Sequence, residues 1–304
     1  MQRTTHGRIL SIQSHTVHGY VGNKAATFPL QLLGFDVDPL NTVNFSNHTG
    51  YSFVRGNSTT SAEIDDQIDG LRMNKLIDYD YVLSGFVKSK EALESILKAV
   101  KEIRSTHNGS VKYFLDPVLG DDDKGFYVPK AMLEAYRSSM RCANVITPNK
   151  FEAEKLSGKE ISGESDAIEI FKVLHEMGPE FVVITSLEFT APKNNVKMLK
   201  VLASSNAESG KKQIVYKIEI PKIEGSFTGC GDLFTACLLG FMHLFENDFK
   251  EAVSYAVSCV FKVIERTSLC GDDLRNNCEL RLIECRDVFI QPQNIFEAQV
   301  LNLN

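Results

Sequence analysis

The chain has 304 residues, 43% apolar and 24% charged, a composition that fits a soluble globular protein and excludes a fibrous or disordered one. Its formal net charge of -6 argues against general affinity for nucleic acid or an acidic membrane surface, while leaving room for a local cationic pocket. Seven cysteines without a Cys-x-x-Cys pair exclude a zinc ribbon and a disulfide framework, and no basic-then-apolar leader or bilayer-length apolar run is present. A cytoplasmic protein without membrane or nucleic-acid partners is expected.

From Arg8 onward, short β-rich runs alternate with longer helical patterns. The spacing predicts strands at Arg8–Ser11, Val43–Phe45, Tyr81–Ser84, Lys112–Leu115, Asn144–Ile146 and Phe181–Thr185. Helices are predicted at Ala62–Asn74, Lys90–Arg104, Lys130–Ser138, Asn149–Lys155 and Ser165–Met177. The unbroken apolar run Phe181-Val-Val-Ile is that of a strand covered by helices on both faces. Such alternation implies βαβ units, hence an α/β fold: a three-layer α/β/α sandwich around a mostly parallel sheet. Val196–Ala203 and Gln213–Ile220 then read as consecutive strands forming an antiparallel edge. Asp232 to Thr267 is helical again, in two apolar stretches joined around Glu246–Phe249. The segment from Gly271 to Asn304 fits no clear element. No linker or repeat divides the chain, so one domain over residues 1–304 is expected.

Four clusters carry candidate chemistry. In Gly225-Ser-Phe-Thr-Gly-Cys-Gly-Asp232, two glycines lead into a helix, and their N–H groups with the helix's positive end can form an anion hole. Asp232 in the first turn, kept ionised by the helix dipole, is a suitable acceptor for a hydroxyl proton. Taken alone, the same four residues Gly229-Cys230-Gly231-Asp232 equally describe an ordinary capped helix start. A P-loop is excluded, since no Gly-x-x-x-x-Gly-Lys-Ser/Thr stretch exists, and Phe234 breaks a dinucleotide fingerprint. Asp116-Pro-Val-Leu-Gly-Asp121, directly after a strand, offers two carboxylates able to hold hydrated magnesium, or else a Pro-Gly turn with solvated acids. Thr147-Pro-Asn149 followed by Glu152 opens a helix. Thr185-Ser186 closes the apolar strand.

In this order, together with Leu10-Ser-Ile-Gln-Ser14, Gly19-Tyr-Val-Gly-Asn23, Ala25-Ala-Thr-Phe-Pro-Leu30 and Phe45-Ser-Asn-His-Thr-Gly-Tyr51, these clusters resemble the ribokinase-like superfamily, specifically its pyridoxal kinase branch. The likeness runs from about Arg8 to Thr267, and the Gly-Gly pair usual in the sugar-kinase branch is absent. The resemblance implies ATP-dependent phosphorylation of the 5′-hydroxyl of pyridoxal, pyridoxine or pyridoxamine. It implies Asp232 as general base and the Gly229, Cys230 and Gly231 turn as anion hole. Ser14 and Thr49 would bind the pyridine ring. Asp116, Asp121, Thr147 and Glu152 would organise Mg2+ and a monovalent cation such as K+. Asp116, Tyr127, Asn149, Thr185, Ser186, Cys230 and the Ile223-Glu224-Gly225 stretch would contact ATP, with Tyr127 in a mobile cover. A homodimer is also implied. Three departures stand out: Cys230 replaces the family's Thr, Thr228 an aliphatic residue, and Phe86 a Tyr. A thiol donates more weakly than a hydroxyl, so the grip on ATP is where this chain is expected to differ. A hydroxymethylpyrimidine or sugar kinase, or a vitamin-binding protein that kept the fold, are the competing readings.

Overall fold

A computed structural model describes residues 6–106, 109–188, 197–206, 213–270 and 278–301. Val196, where one predicted strand begins, and the side chain of Ser186 lie outside the described residues. Strand β1 (Arg8–Thr16) leads through a glycine-rich turn into helix α1 (Asn23–Leu32), then β2 (Asp36–Phe45) and the short β3 (Gly56–Ser58). Next come α2 (Ser61–Met73), β4 (Tyr81–Ser84), α3 (Lys90–Thr106) and β5 (Lys112–Leu115). A two-strand hairpin follows, β6 (Gly120–Asp121) with β7 (Gly125–Phe126), and then α4 (Met132–Ser139), β8 (Val145–Ile146), α5 (Lys150–Ser157) and α6 (Glu164–Glu176). The second half holds β9 (Phe181–Leu187), β10 (Met198–Ser205), β11 (Ile214–Pro221), β12 (Phe227–Thr228), α7 (Cys230–Leu244) and α8 (Phe249–Ser268). It closes with β13 (Cys278–Glu279), α9 (Arg286–Ile290) and β14 (Gln299–Leu301).

Ten of these strands form one sheet in the order β14-β11-β10-β9-β8-β5-β4-β1-β2-β3. The six from β9 across to β2 pair in parallel. Antiparallel pairing occurs at both ends: β10, β11 and β14 on one side, and β3 against β2 on the other. The sequence pointed only to the first of these edges. Strand β2 is much longer than the predicted Val43–Phe45 because it tolerates Pro39. Its pairing with β3 begins only at Val43, so Pro39 need not donate to a neighbour on that side.

Alternation within the strands feeds two cores. Leu10, Ile12, Tyr113, Leu115, Val182 and Ile184 face helices α2 to α6, while Ile9, Phe114, Phe181 and Val183 face α1, α7, α8 and α9. Helices therefore cover both faces, as expected from the apolar run in β9. Helix α3 shows how a single face is chosen: Leu93, Ile96, Val100 and Ile103 recur at helical spacing and are buried, with charged residues opposite. Among the described residues no helix is long and apolar enough to cross a membrane.

Candidate active site

Because the central strands are parallel, their carboxyl ends gather on one edge. Strand β1 has β2 on one side and β4 on the other, so the chain's order reverses there and leaves a crevice. Ser14 near the end of β1, Asp116 just after β5, Thr147 after β8 and Thr185 on β9 all come to this edge. Helix α7 starts beside them.

The turn before α7 is built for close approach. Gly229 has φ 92°, and a Cβ there would lie 2.1 Å from the Tyr20 carbonyl oxygen. The Gly19–Gly22 turn thus packs against the turn before α7. Gly22, at φ 52°, is equally constrained, since a Cβ would lie 2.2 Å from the Ser14 carbonyl oxygen. Its N–H donates to Oδ2 of Asp232 at 2.8 Å. That bond aims the carboxylate, which is half-buried at the first turn of α7. Burial pushes the Asp232 carboxyl up to about 6, and the Gly22 bond opposes the rise. The helix dipole alone would have kept it fully acidic; loss of water outweighs that effect. The Cys230 thiol makes a weak 3.6 Å hydrogen bond to the Phe227 carbonyl, and burial raises its pKa to about 12, so it remains a neutral thiol.

Three carboxyl groups converge. Asp116 is buried, and among the described residues nothing donates a hydrogen bond to its carboxylate. Burial, then Glu152, then Asp232 push its pKa well up. It also sits against the first turn of α7, because a Cβ on Gly231 would lie 3.4 Å from Asp116 Oδ2. Glu152 is buried too, and burial raises it against three opposing hydrogen bonds. Those bonds define a local role: Oε2 accepts from Asn149 N at 2.9 Å, and Oε1 from Leu119 N at 2.9 Å and Gly120 N at 3.5 Å. Asn149 returns the favour by accepting from Glu152 N at 2.9 Å, closing a capping box on α5, and its Nδ2 donates to Gly120 O at 2.7 Å. The helix-start reading of Thr147-Pro-Asn149 and Glu152 is therefore correct, and the same carboxylate also fastens the Asp116–Asp121 loop. Thr147 is buried and shares a 2.7 Å hydrogen bond with Thr235 of α7. Asp121 accepts from Lys124 N at 2.7 Å and from the Tyr127 hydroxyl. Among the described residues no group of three or more His, Cys, Asp or Glu side chains is placed to cage a metal directly.

On the side where the resemblance puts ATP, Asn149 bridges Thr185 in parallel, and Thr185 N donates to Pro148 O at 3.1 Å. Ile223 is half-buried, Glu224 and Gly225 are exposed, and Glu224 pairs with Lys197 at 3.2 Å. Tyr127 follows the β6–β7 hairpin and is 40% exposed. On the opposite side, Ser14 is buried beneath Gly22, whereas Thr49 is exposed in the loop after β2. Lys24 donates to Val17 O at 2.9 Å and lies over the Tyr20 ring.

Glu279 of β13 was not foreseen. It reaches Tyr20, His48 and Tyr51, on both sides of the crevice mouth. A cavity of about 610 Å3 opens along this segment, lined by residues including Val17, Lys24, Tyr51 and Glu284; Ser14, Asp116 and Asp232 do not line it. The sequence held no signal for Glu279, since it lies in the segment that fitted no element. The only mark of Gly22 was its place in the Gly19–Asn23 motif.

The phosphomethylpyrimidine kinase family model matches residues 42–276. Over nearly their whole length, this chain and the pyridoxal kinase of Ovis aries are 40% identical, with 97% of this chain and 98% of that protein covered. The pyridoxal kinase of Arabidopsis thaliana is 42% identical over 96% of this chain and 94% of its own. Among solved structures, the pyridoxal kinase of Leishmania donovani in complex with ADP and pyridoxine superposes with a TM-score of 0.89 at 37% identity, covering 97% and 99% of the two chains.

Proposed function

The chain belongs to the pyridoxal kinase family, and on that premise we propose that it transfers the γ-phosphoryl group of ATP to the 5′-hydroxyl of pyridoxal, pyridoxine or pyridoxamine. The observation that carries this reading is the Asp232 carboxylate, aimed by the Gly22 N–H at the mouth of the Gly229–Gly231 turn. The vitamer hydroxyl attacks the γ-phosphorus, an O–P bond forms, and the bond to the bridging oxygen breaks to release ADP. Asp232 takes the hydroxyl proton. With its pKa near 6 it is ionised at neutral pH yet still basic enough to matter. The N–H groups of the Gly229-Cys230-Gly231 turn and the start of α7 face the charge on the transferring group.

Ser14 and Thr49 hold the pyridine ring, and Asn149, Thr185, Ser186 and the Ile223–Gly225 stretch hold the nucleotide. Tyr127, from the hairpin beside Asp121, covers the phosphates and keeps water from competing with the acceptor. Asp116 fits a cation: it is a buried carboxylate to which no described residue donates a hydrogen bond, beside two further acids that raise its pKa. Among the described residues no three such side chains form a cage, so Asp116 would hold Mg2+ as a hydrated ion. Asp121, Thr147 and Glu152 complete the surroundings of Mg2+ and of a monovalent cation such as K+. The bound magnesium supplies charge neutralisation of the phosphates. The working unit is a cytoplasmic homodimer in which each subunit has its own site.

The decisive experiment compares turnover of pyridoxal, hydroxymethylpyrimidine and a sugar with ATP and magnesium. Pyridoxal is expected to be the best acceptor by kcat/KM; a higher value for either of the others overturns the assignment.

A further inference from the structure

We infer that Glu279 is a positioning residue for vitamer transfer, one carboxylate that fixes the loop bearing Thr49 and the turn bearing Gly22 in place relative to Asp232. This rests on the kinase reading above. Strand β13 pairs in parallel with β12, with Glu279 in register with Thr228, the residue just before Gly229. The backbone of Glu279 is thereby anchored to the turn before α7. Its side chain then reaches away from that turn in two directions. Oε2 accepts from Tyr20 N at 3.0 Å, two residues before Gly22. Oε1 accepts from the Tyr51 hydroxyl at 3.1 Å and lies 3.2 Å from His48 Nε2, so it grips residues on both sides of Thr49.

This is no loose surface contact. The Glu279 side chain is 18% exposed and that of His48 only 7%. Burial acts to raise the Glu279 pKa, but its contacts with His48, Tyr20 and Tyr51 outweigh it and hold the carboxyl below its ordinary value. A charged, partly buried acceptor of two hydrogen bonds is stronger than neutral contacts and tolerates little displacement. Thr49 itself is exposed in a loop of turns and bends, where a side chain has no position of its own to keep. The grip on either side of it supplies one. Glu279 touches no reacting atom, so its effect falls on how well the ring is held.

The test uses the full chain with Glu279→Gln, which keeps the size and one acceptor oxygen but removes the charge. The KM for pyridoxal should rise roughly tenfold, as for loss of a charged hydrogen bond, with the KM for ATP within about twofold of wild type. Hydrogen exchange over residues 46–55 should quicken while α3 and α8 keep their protection. If Glu279→Gln fails to fold, Tyr51→Phe takes its place, because it deletes one hydroxyl at a half-exposed site; the pyridoxal KM should then rise about threefold. An unchanged pyridoxal KM with unchanged loop exchange overturns the inference. So does an equal rise in both KM values, or a lower active fraction with both KM values intact, since either marks a general structural role. Wild-type protein inactive on every vitamer sinks the kinase reading instead, and the loop exchange in Glu279→Gln then decides the clamp by itself.

Discussion

Gly22 and Asp232, 210 residues apart in the chain, are joined by a single 2.8 Å hydrogen bond from backbone N–H to carboxylate oxygen. The bond ties the turn after β1 to the start of α7, the two loops that flank the crevice. Close packing accounts for the glycines: Gly229 lies against the Tyr20 carbonyl of the facing turn, and Gly22 against the Ser14 carbonyl of the strand that leads into its own turn.

Asp232→Asn should lower kcat by roughly a thousandfold, the usual scale for loss of a general base, with pyridoxal binding largely intact. In wild type, kcat/KM should fall as pH drops through about 6, where the carboxylate takes up its proton. The stability effect has the opposite sign. A carboxyl whose pKa is raised by folding favours the fold most below its unfolded value and loses that contribution as pH rises through about 6. Asp232→Asn should therefore melt higher than wild type at pH 8. Stopped-flow turnover and thermal melts across pH check both signs; unchanged turnover removes Asp232 from the mechanism.

Gly22→Ala places a methyl group 2.2 Å from the Ser14 carbonyl at a positive φ. The turn must shift, and the Gly22 N–H moves off Asp232. A cost of about 1–3 kcal/mol in stability is expected, with kcat falling more than the KM for ATP rises. Denaturant melts and steady-state kinetics on one preparation separate the two effects.

Cys230→Thr should lower the KM for ATP, because a hydroxyl replaces a neutral thiol that makes only a weak hydrogen bond, to Phe227 O, among the described residues. The KM for pyridoxal should stay unchanged. ATP titrations of the two proteins side by side check this, and equal values mean that the thiol position does not touch the phosphates.

Glu152→Ala strips an acceptor from three backbone N–H groups, at Leu119, Gly120 and Asn149. Loss of about 3 kcal/mol is expected, the scale for stranding buried donors. Glu152→Gln keeps one acceptor oxygen and removes the charge facing Asp116, so it should lose much less. Chemical denaturation of both variants tests this; equal losses mean that the charge, and not the cap, matters.

Most of the architecture was legible because periodicity follows burial. The Phe181–Ile184 run announced a strand covered on both faces, and α3 declared its inner face. What escaped were elements whose local sequence argues against them. Pro29 stands inside α1, and Asp36, Asp38 and Pro39 mask the first half of β2. The motifs singled out as candidates came to one edge of the sheet. Their bonding partners did not announce themselves. Glu152 reads as a helix cap or a cation ligand, and only its three N–H partners show that it also fastens a loop. Glu279 lies in a stretch without periodicity, and its importance comes from contacts 228 and 259 residues away, which no local pattern encodes.

Those long separations bear on how the protein is made. On a ribosome, β1, α1 and the loop after β2 emerge early, and the helices of one face can pack as they appear. The crevice cannot take its final shape then, because residue 232 and later residue 279 have yet to be synthesised. Nascent chains halted between these two points should hold the Asp232 carboxylate already aimed by Gly22 while the Thr49 loop still wanders. The capacity to retain a vitamer should arrive late and abruptly, as β13 seats itself beside β12.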